Sequence, residues 1–568
     1  MPPLDTLVRA AADERLTALP APRPASGPTT GRRPGSRRPS GRALLTLLAF
    51  AVYLGCGLVL VYRYDVYFID EQARVANAYY VMFSADPHLA AIGFVWNPLV
   101  SLSQLPLLAL SPLFPDLAAR GLAAVIMGAL FMALAVRQLD LLLAELHLSR
   151  RVRLVSVLLL AANPMVLLYG ANGMSESLYL LFLLMATRRL AQWLEHGRTS
   201  ALALAGLALA LGYLTRNETT MAAVLAAGVV VTVSVRRAPG NRSRRWATAL
   251  TDATVLLAPP AAAFVAWAGI SWVIVGHPFA QVAGQYGVAA SVQALRADVT
   301  FAQRPEYALH EVLWLAPGLA PAALMAIALL VRRTPGSARA LAAAAVLGGP
   351  LAFSMVAAVQ GKTLGWLRFY ILAIPLCSVL AIATAASVRR RGLRTGAVLL
   401  ALALAAVGIP SGAALLTDKV HAPEEHLQLA ALWTRYPGPE PLRKTFDVMQ
   451  ELGRTVDGLG GVKRTVLMDN AESCLPSLVL RSRHPKQFVI PNDRRFQAVL
   501  ANPFLFRVRY IITAPTGGLG RNDAVNIAYP TLYESGGGFA ELVREFRSPR
   551  CPPFRLYRVL QAPPGAVG

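Results

Sequence analysis

Apolar and polar positions alternate along this chain in long blocks rather than in short periods. Apolar runs recur at 43–62, 117–136, 152–170, 174–193, 199–215, 218–235, 250–275, 312–331, 338–358, 367–387 and 395–411. About 20 such residues are what an α-helix needs to cross ~30 Å of hydrocarbon, so the pattern predicts a polytopic α-helical membrane protein with eleven spans. A further apolar stretch, 97–114, is broken by Pro98, Pro106 and Pro112 and reads as a re-entrant or interfacial element. The pattern changes at both ends. Residues 1–42 are rich in Pro, Gly, Ser and Arg without apolar periodicity, which predicts a disordered basic tail. The run 43–62 lacks a small-residue cleavage site and reads as a retained first span. Residues 416–568 are mixed, with β-rich runs at 465–468, 487–490, 510–513 and 554–557 and a helical pattern over 441–459. They predict a C-terminal α/β domain.

Charge gives the expected orientation. Lys and Arg concentrate at Arg150, Arg151 and Arg153, at Arg188 and Arg189, between Arg236 and Arg245, at Arg332 and Arg333, and at Arg389 to Arg391. The segments 63–115, 171–173, 276–311 and 359–366 are poor in them. Cytoplasmic loops are the basic ones. The N-terminal tail is therefore expected in the cytoplasm, with the first outer loop (63–115) and the C-terminal domain outside the plasma membrane. Composition agrees: 55% of residues are hydrophobic and 15% charged, and the mean hydropathy is +0.48. A soluble enzyme is excluded. Much of the net charge of +24 lies in short basic clusters between the apolar runs and implies membrane lipids as neighbours rather than nucleic acid. Cys474 and Cys551 both fall in the outer domain, where either a disulfide or two free thiols would be stable; Cys56 and Cys377 lie in spans.

Ionisable groups at the outer ends of the spans are the candidates for chemistry, because such groups are costly near hydrocarbon. Asp70 and Glu71 follow the first span. A carboxylate partly removed from water is suited to accept a proton, whereas a pair of solvated interfacial acids is the bland alternative. Glu176 opens the span at 174–193, Arg216 lies in the turn at 214–218, and Lys362 and Arg368 precede or open the span at 367–387. Acids and cations on one face suit a site that holds an anionic lipid phosphate beside a catalytic carboxylate. Histidines lack metal-ligand spacing, and no HExxH or Cys/His cluster occurs. Arg and Lys can meet a phosphate leaving group without a metal; an acid-bound divalent ion stays an open alternative. Asn217-Glu218-Thr219 and Asn241-Arg242-Ser243 match the glycosylation sequon but fall at a membrane edge and in a cytoplasmic loop, and the Gly-rich runs at 517–520 and 536–538 read as loops.

These residues resemble those of the GT-C glycosyltransferases, which take sugars from polyprenyl phosphates. The Asp70-Glu71 pair resembles the acidic motif of the protein O-mannosyltransferase and aminoarabinose transferase superfamily, and Arg120 resembles an Arg at the same place. The run from Asn163-Pro164 to Tyr179, the Leu-Thr-Arg turn at 214–216 and Gly276-His277-Pro278-Phe279 are similar to stretches of GPI mannosyltransferase II relatives. Arg368-Phe369-Tyr370 with Pro375 is similar to an Arg-Tyr…Pro element. Two departures stand out: His277 occupies a place where those relatives often carry an acid, and Phe369 splits the Arg-Tyr pair. The resemblance spans 45–415 and implies a GT-C catalytic domain over 43–415.

It also implies an inverting transfer of a hexose, such as mannose, from a polyprenyl-phosphate donor to a lipid, glycan or protein hydroxyl outside the membrane. Asp70 would be the base, with Glu71 and Glu176 orienting substrate. Arg216, Arg368, Lys362 and Arg120 would hold the phosphate, and Tyr370 and His277 are further site candidates. A transporter or flippase could use the same cations, but the paired broken helices of transporters are not visible. An envelope polysaccharide polymerase or ligase would favour arginines in a large late loop.

Overall fold

The computed structural model describes residues 41–295, 304–332, 336–426, 429, 440–470, 474–548 and 551–565. The expected disordered tail falls almost wholly outside them. The bundle begins with α1 (Gly41–Tyr64), followed by α2 (Ile69–Phe83), α3 (Leu99–Leu108) and α4 (Leu122–Ala144). Then come α5 (Arg150–Ala161), α6 (Pro164–Ala171), α7 (Glu176–His196), α8 (Thr199–Tyr213), α9 (Thr219–Arg237) and α10 (Arg242–Val275). Helices α11 (Pro305–Leu315), α12 (Leu319–Val331), α13 (Ser337–Val359), α14 (Leu367–Ala386) and α15 (Gly392–Leu416) complete it.

Each of the eleven expected spans has a helical counterpart, but the count of eleven is not confirmed. Among the described residues seven helices are long and apolar enough to cross a membrane, or nine if each bent pair is one span. The bends are 65° between α5 and α6 and 84° between α11 and α12. At the first, Pro164 opens α6 and Asn163 caps it by accepting from the Met165 N–H at 3.1 Å. Proline lacks the donor that would continue α5. Helix α7 falls outside the nine because its second half carries Arg188, Arg189 and Glu195; α8 has only 15 residues. The Pro-broken stretch 97–114 forms the ten-residue α3.

Beyond the bundle, a five-stranded sheet has the order β2-β1-β3-β5-β4. Its strands are β1 (Val466–Met468), β2 (Phe488–Val489), β3 (Tyr510–Thr513), β4 (Ala540–Phe546) and β5 (Phe554–Val559). β1 runs parallel to β2 and β3, whereas β5 is antiparallel to β3 and β4. Four strands fall on the expected runs. β4 was not visible because it is an edge strand with an exposed middle and charged positions, so no apolar alternation marks it. On one face of the sheet pack α16 (Glu440–Asp457) and α17 (Pro476–Arg481). A disulfide joins Cys474 to Cys551.

Two of the apolar cores among the described residues position the site. The larger lies within the bundle and includes Tyr53, Tyr169 and Tyr370. In the second, Val75, Ala76, Ala78 and Tyr80 of α2 meet Ala123 and Ala124 of α4 on one side. On the other side they meet Met449, Leu452, Leu478, Val479 and Phe488. Helix α2 is thus wedged between the bundle and the sheet, and that wedge fixes the acidic pair at its start.

Candidate active site

Asp70 and Glu71 lie in the first turn of α2, where the helix dipole favours negative charge. Neighbouring helical residues point about 100° apart, so the two acids face different surroundings. Asp70 faces Arg368: its Oδ2 accepts from Nη2 at 2.6 Å. The other arm of Arg368, Nη1, reaches Glu424 Oε1 at 3.3 Å. Arg216 donates Nη1 to Glu176 and Nη2 to Glu218 Oε1 at 2.8 Å. Arg74 stands four residues along α2 from Asp70, donates to its carbonyl at 3.3 Å and stacks on Trp96. Glu425 Oε1 accepts from the Tyr169 hydroxyl at 2.6 Å.

Phe369, the residue that splits the expected Arg-Tyr pair, has a visible role. Its ring lies 5.0 Å from the Arg216 guanidinium and 5.5 Å from that of Arg368. A ring face attracts a cation, so Phe369 holds two like charges in register without a polar bridge. Four remote segments therefore meet in one buried cluster: the start of α2, the start of α7, the turn 214–218 and the opening of α14.

The electrostatics separate the adjacent acids. Burial works against the Asp70 charge, but Arg368, Arg74 and Arg216 outweigh it and hold the carboxyl below its ordinary range. Glu71 is buried with Gln72 as its hydrogen-bonding side chain; burial pushes it up to about 8, with Gln72 and Arg481 only partly opposing. Gly121 is what lets Glu71 fit. A Cβ there would lie 1.9 Å from Glu71 Oε1, and its φ of +67° suits glycine. Burial also raises Glu424 to about 8; Arg368 opposes this, while Glu425, Asp70 and Glu176 reinforce it.

The structure brings together Asp70, Glu176, Arg216 and Arg368 of the expected set. Lys362 is exposed, and none of its described contacts reach the cluster. Arg120 forms a separate group with Asp65 at 3.4 Å, Asp116 at 3.6 Å and the Tyr67 hydroxyl at 3.3 Å. His277 shapes a turn: its Nδ1 accepts from the Phe279 N–H, and its carbonyl from Ser271. Tyr370 is buried, and its hydroxyl has no hydrogen-bond partner among the described residues. Sequence reasoning missed Arg74, although its i, i+4 spacing from Asp70 was a signal. It also missed Glu424 and Glu425, which follow the last span in the helical turn 423–426. Among the described residues no group of three or more His, Cys, Asp or Glu is placed to hold a metal ion.

Residues 113–267 match the family described as dolichyl-phosphate-mannose-protein mannosyltransferase. That stretch contains Glu176 and Arg216, and the match bears out the resemblance to GT-C membrane glycosyltransferases. No curated protein matches the chain. Among solved structures, the chain is similar to ArnT from Cupriavidus metallidurans bound to undecaprenyl phosphate, with 14% identity and a TM-score of 0.47, over 94% of this chain and 100% of that one. It is also similar to the archaeal oligosaccharyltransferase AglB from Archaeoglobus fulgidus in complex with an inhibitory peptide and a dolichol-phosphate. There the identity is 12% and the TM-score 0.41, over 83% of this chain and 69% of that one.

Proposed function

We propose that this chain is a polyprenyl-phosphate-dependent glycosyltransferase that moves a hexose, mannose in the first instance, to an acceptor hydroxyl outside the membrane. The observation that carries the reading is the convergence of Asp70, Glu176, Arg216 and Arg368 from four remote segments. Asp70, kept charged by Arg368, takes the acceptor proton as the oxygen attacks the anomeric carbon. The bond to phosphate breaks, and the electron pair leaves with the phosphate. Direct displacement inverts the anomeric centre. Guanidinium groups meet the charge that develops on the leaving oxygen, which is the kind of preorganised stabilisation that lowers such barriers most. A cytoplasmic N-terminus and an outer sheet domain over 416–568 belong to the same proposal.

The test is transfer of label from a panel of polyprenyl-phosphate sugars to membrane extracts by the purified full-length chain. Mannose transfer with inverted stereochemistry is expected; no transfer from any member of the panel overturns the reading.

A further inference from the structure

The two arms of Arg368 are unequal. Nη2 is held by Asp70 at 2.6 Å, while Nη1 reaches Glu424 at 3.3 Å, beyond the usual length of a charge-assisted bond. Glu424 Oε2 is buried and has no hydrogen-bond partner among the described residues, and the same holds for Glu425 Oε2. Glu424 therefore spends one oxygen on a loose contact and leaves the other unmet. The charges around it are Arg368 from α14, Asp70 from α2 and Glu176 from α7, with Glu425 beside it. Behind these stand Arg74, Arg216 and the Tyr169 hydroxyl on Glu425. The acids outnumber the cations, so a phosphate arriving at Arg368 meets a field that opposes it unless one negative charge is removed.

We propose that Glu424 is a proton-linked positioning residue: it must carry a proton while the donor phosphate is bound, drawing one from solution where it is still ionised, and so yields the Nη1 arm of Arg368 to that phosphate. This rests on the placement of the phosphate at Arg368 proposed above. Atoms balance simply, since one proton moves from solvent to the Glu424 carboxylate and the phosphate takes the vacated N–H. Of the carboxylates on Arg368, Glu424 is the one that can yield, because its contact is longer than that of Asp70. Burial already favours its protonated form below pH about 8, and a second anion on Arg368 adds to that preference. Below that pH the proton is in place before binding; above it, binding must draw one from solution, so affinity falls as pH rises.

The test is titration of the full-length protein in detergent with a polyprenyl monophosphate from pH 7.5 to 9.5. The second ionisation of a phosphate monoester lies near 6, so the ligand's charge stays constant across this range. Wild type should lose roughly tenfold or more in affinity over those two units, as one linked proton requires. Calorimetry at pH 8.5 to 9 in two buffers of different ionisation enthalpy should report uptake approaching one proton. Glu424→Gln, which cannot titrate, should bind with less than about a twofold change over the range and without proton uptake. A pH dependence that survives in Glu424→Gln, or no proton uptake by wild type, overturns the inference while leaving the transferase reading standing. Absence of phosphate binding to wild type at every pH overturns both. The calorimetry needs only wild type, so it decides the matter even where the variant does not fold.

Discussion

Helix α4 has an ionic cluster near each end, and the two are built on opposite principles. Near its C-terminal end, Asp140 is held by Arg153 at 2.6 Å and Arg42 at 3.1 Å, and Glu145 by Arg188 and Gln192 at 2.7 Å each. Arg339 pairs with Glu195 and donates to the Glu145 carbonyl. There cations are in excess, and every one of these carboxylates is engaged. Near its N-terminal end, beyond Gly121, lie Asp70, Glu176, Glu218, Glu424 and Glu425 with Arg74, Arg216 and Arg368. There acids are in excess, and oxygens are left over. A set in which every carboxylate is engaged holds helices together and has nothing to offer a ligand. An unsaturated buried set costs stability and persists where a bound group completes it.

That contrast can be broken most decisively at Asp70. Asp70→Asn keeps the shape but cannot take a proton, so turnover at saturating donor should fall by ~10²–10⁴-fold while donor binding, measured separately, persists. Near-wild-type turnover would remove the base. Next come the cations. Arg216→Ala or Arg368→Ala should weaken donor binding by about 2–5 kcal/mol, and Arg216→Lys should recover only part because it lacks the planar fork. Unchanged donor affinity in both Ala variants would reduce these arginines to structural partners of their acids. At the other end, Asp140→Asn should lower stability by ~1–2 kcal/mol, discounted because Arg42 is half exposed. It should leave transfer within about twofold; a large loss of transfer at unchanged stability would erase the distinction between the two ends.

The smallest effect is expected at Glu71. Its carboxyl titrates at about 8 in the folded protein against an ordinary 4.5, so it is largely neutral at pH 7 and Glu71→Gln should turn over within about threefold of wild type there. The folded state keeps a proton that the unfolded state has lost, so this group's contribution to stability is complete below pH 4.5. It declines as pH rises towards 8. Melting temperatures recorded between pH 5 and 8 should fall less steeply in Glu71→Gln; identical slopes would mean that Glu71 is charged in the fold.

Much of this arrangement could be read from the order of residues, because hydrocarbon permits few solutions. The positions of the helices and four of the strands follow from apolar runs of the right length. Asp70, Glu176, Arg216 and Arg368 stand out as ions at span ends, where water is scarce. What was hidden depended on long-range folding. Glu424 and Glu425 sit in HAPEEH, a sequence that looks like any polar linker until the chain turns back onto Arg368. Asp70 and Glu71 are indistinguishable as neighbours, and only the burial of one against Gly121 and the approach of Arg368 to the other push them in opposite directions. Lys362, Arg120 and His277 show the converse: all three sit in turns or loops just outside helices, and a polar residue at the right depth joins a site only if its turn carries it there.

The wedging of α2 between bundle and sheet has a consequence for synthesis. About 350 residues of chain separate Asp70 from Glu424, and the sheet that covers α2 is made later still. At ~5–20 residues per second, Asp70 waits roughly 20–70 s for Glu424, and α2 waits longer for the sheet. During that interval Asp70, Glu71 and the apolar face of α2 stand uncovered at the membrane surface, within reach of proteases and chaperones. Mutations that loosen strands far from the reacting groups should therefore show first as reduced yield of mature protein, before any change in the rate of the molecules that survive.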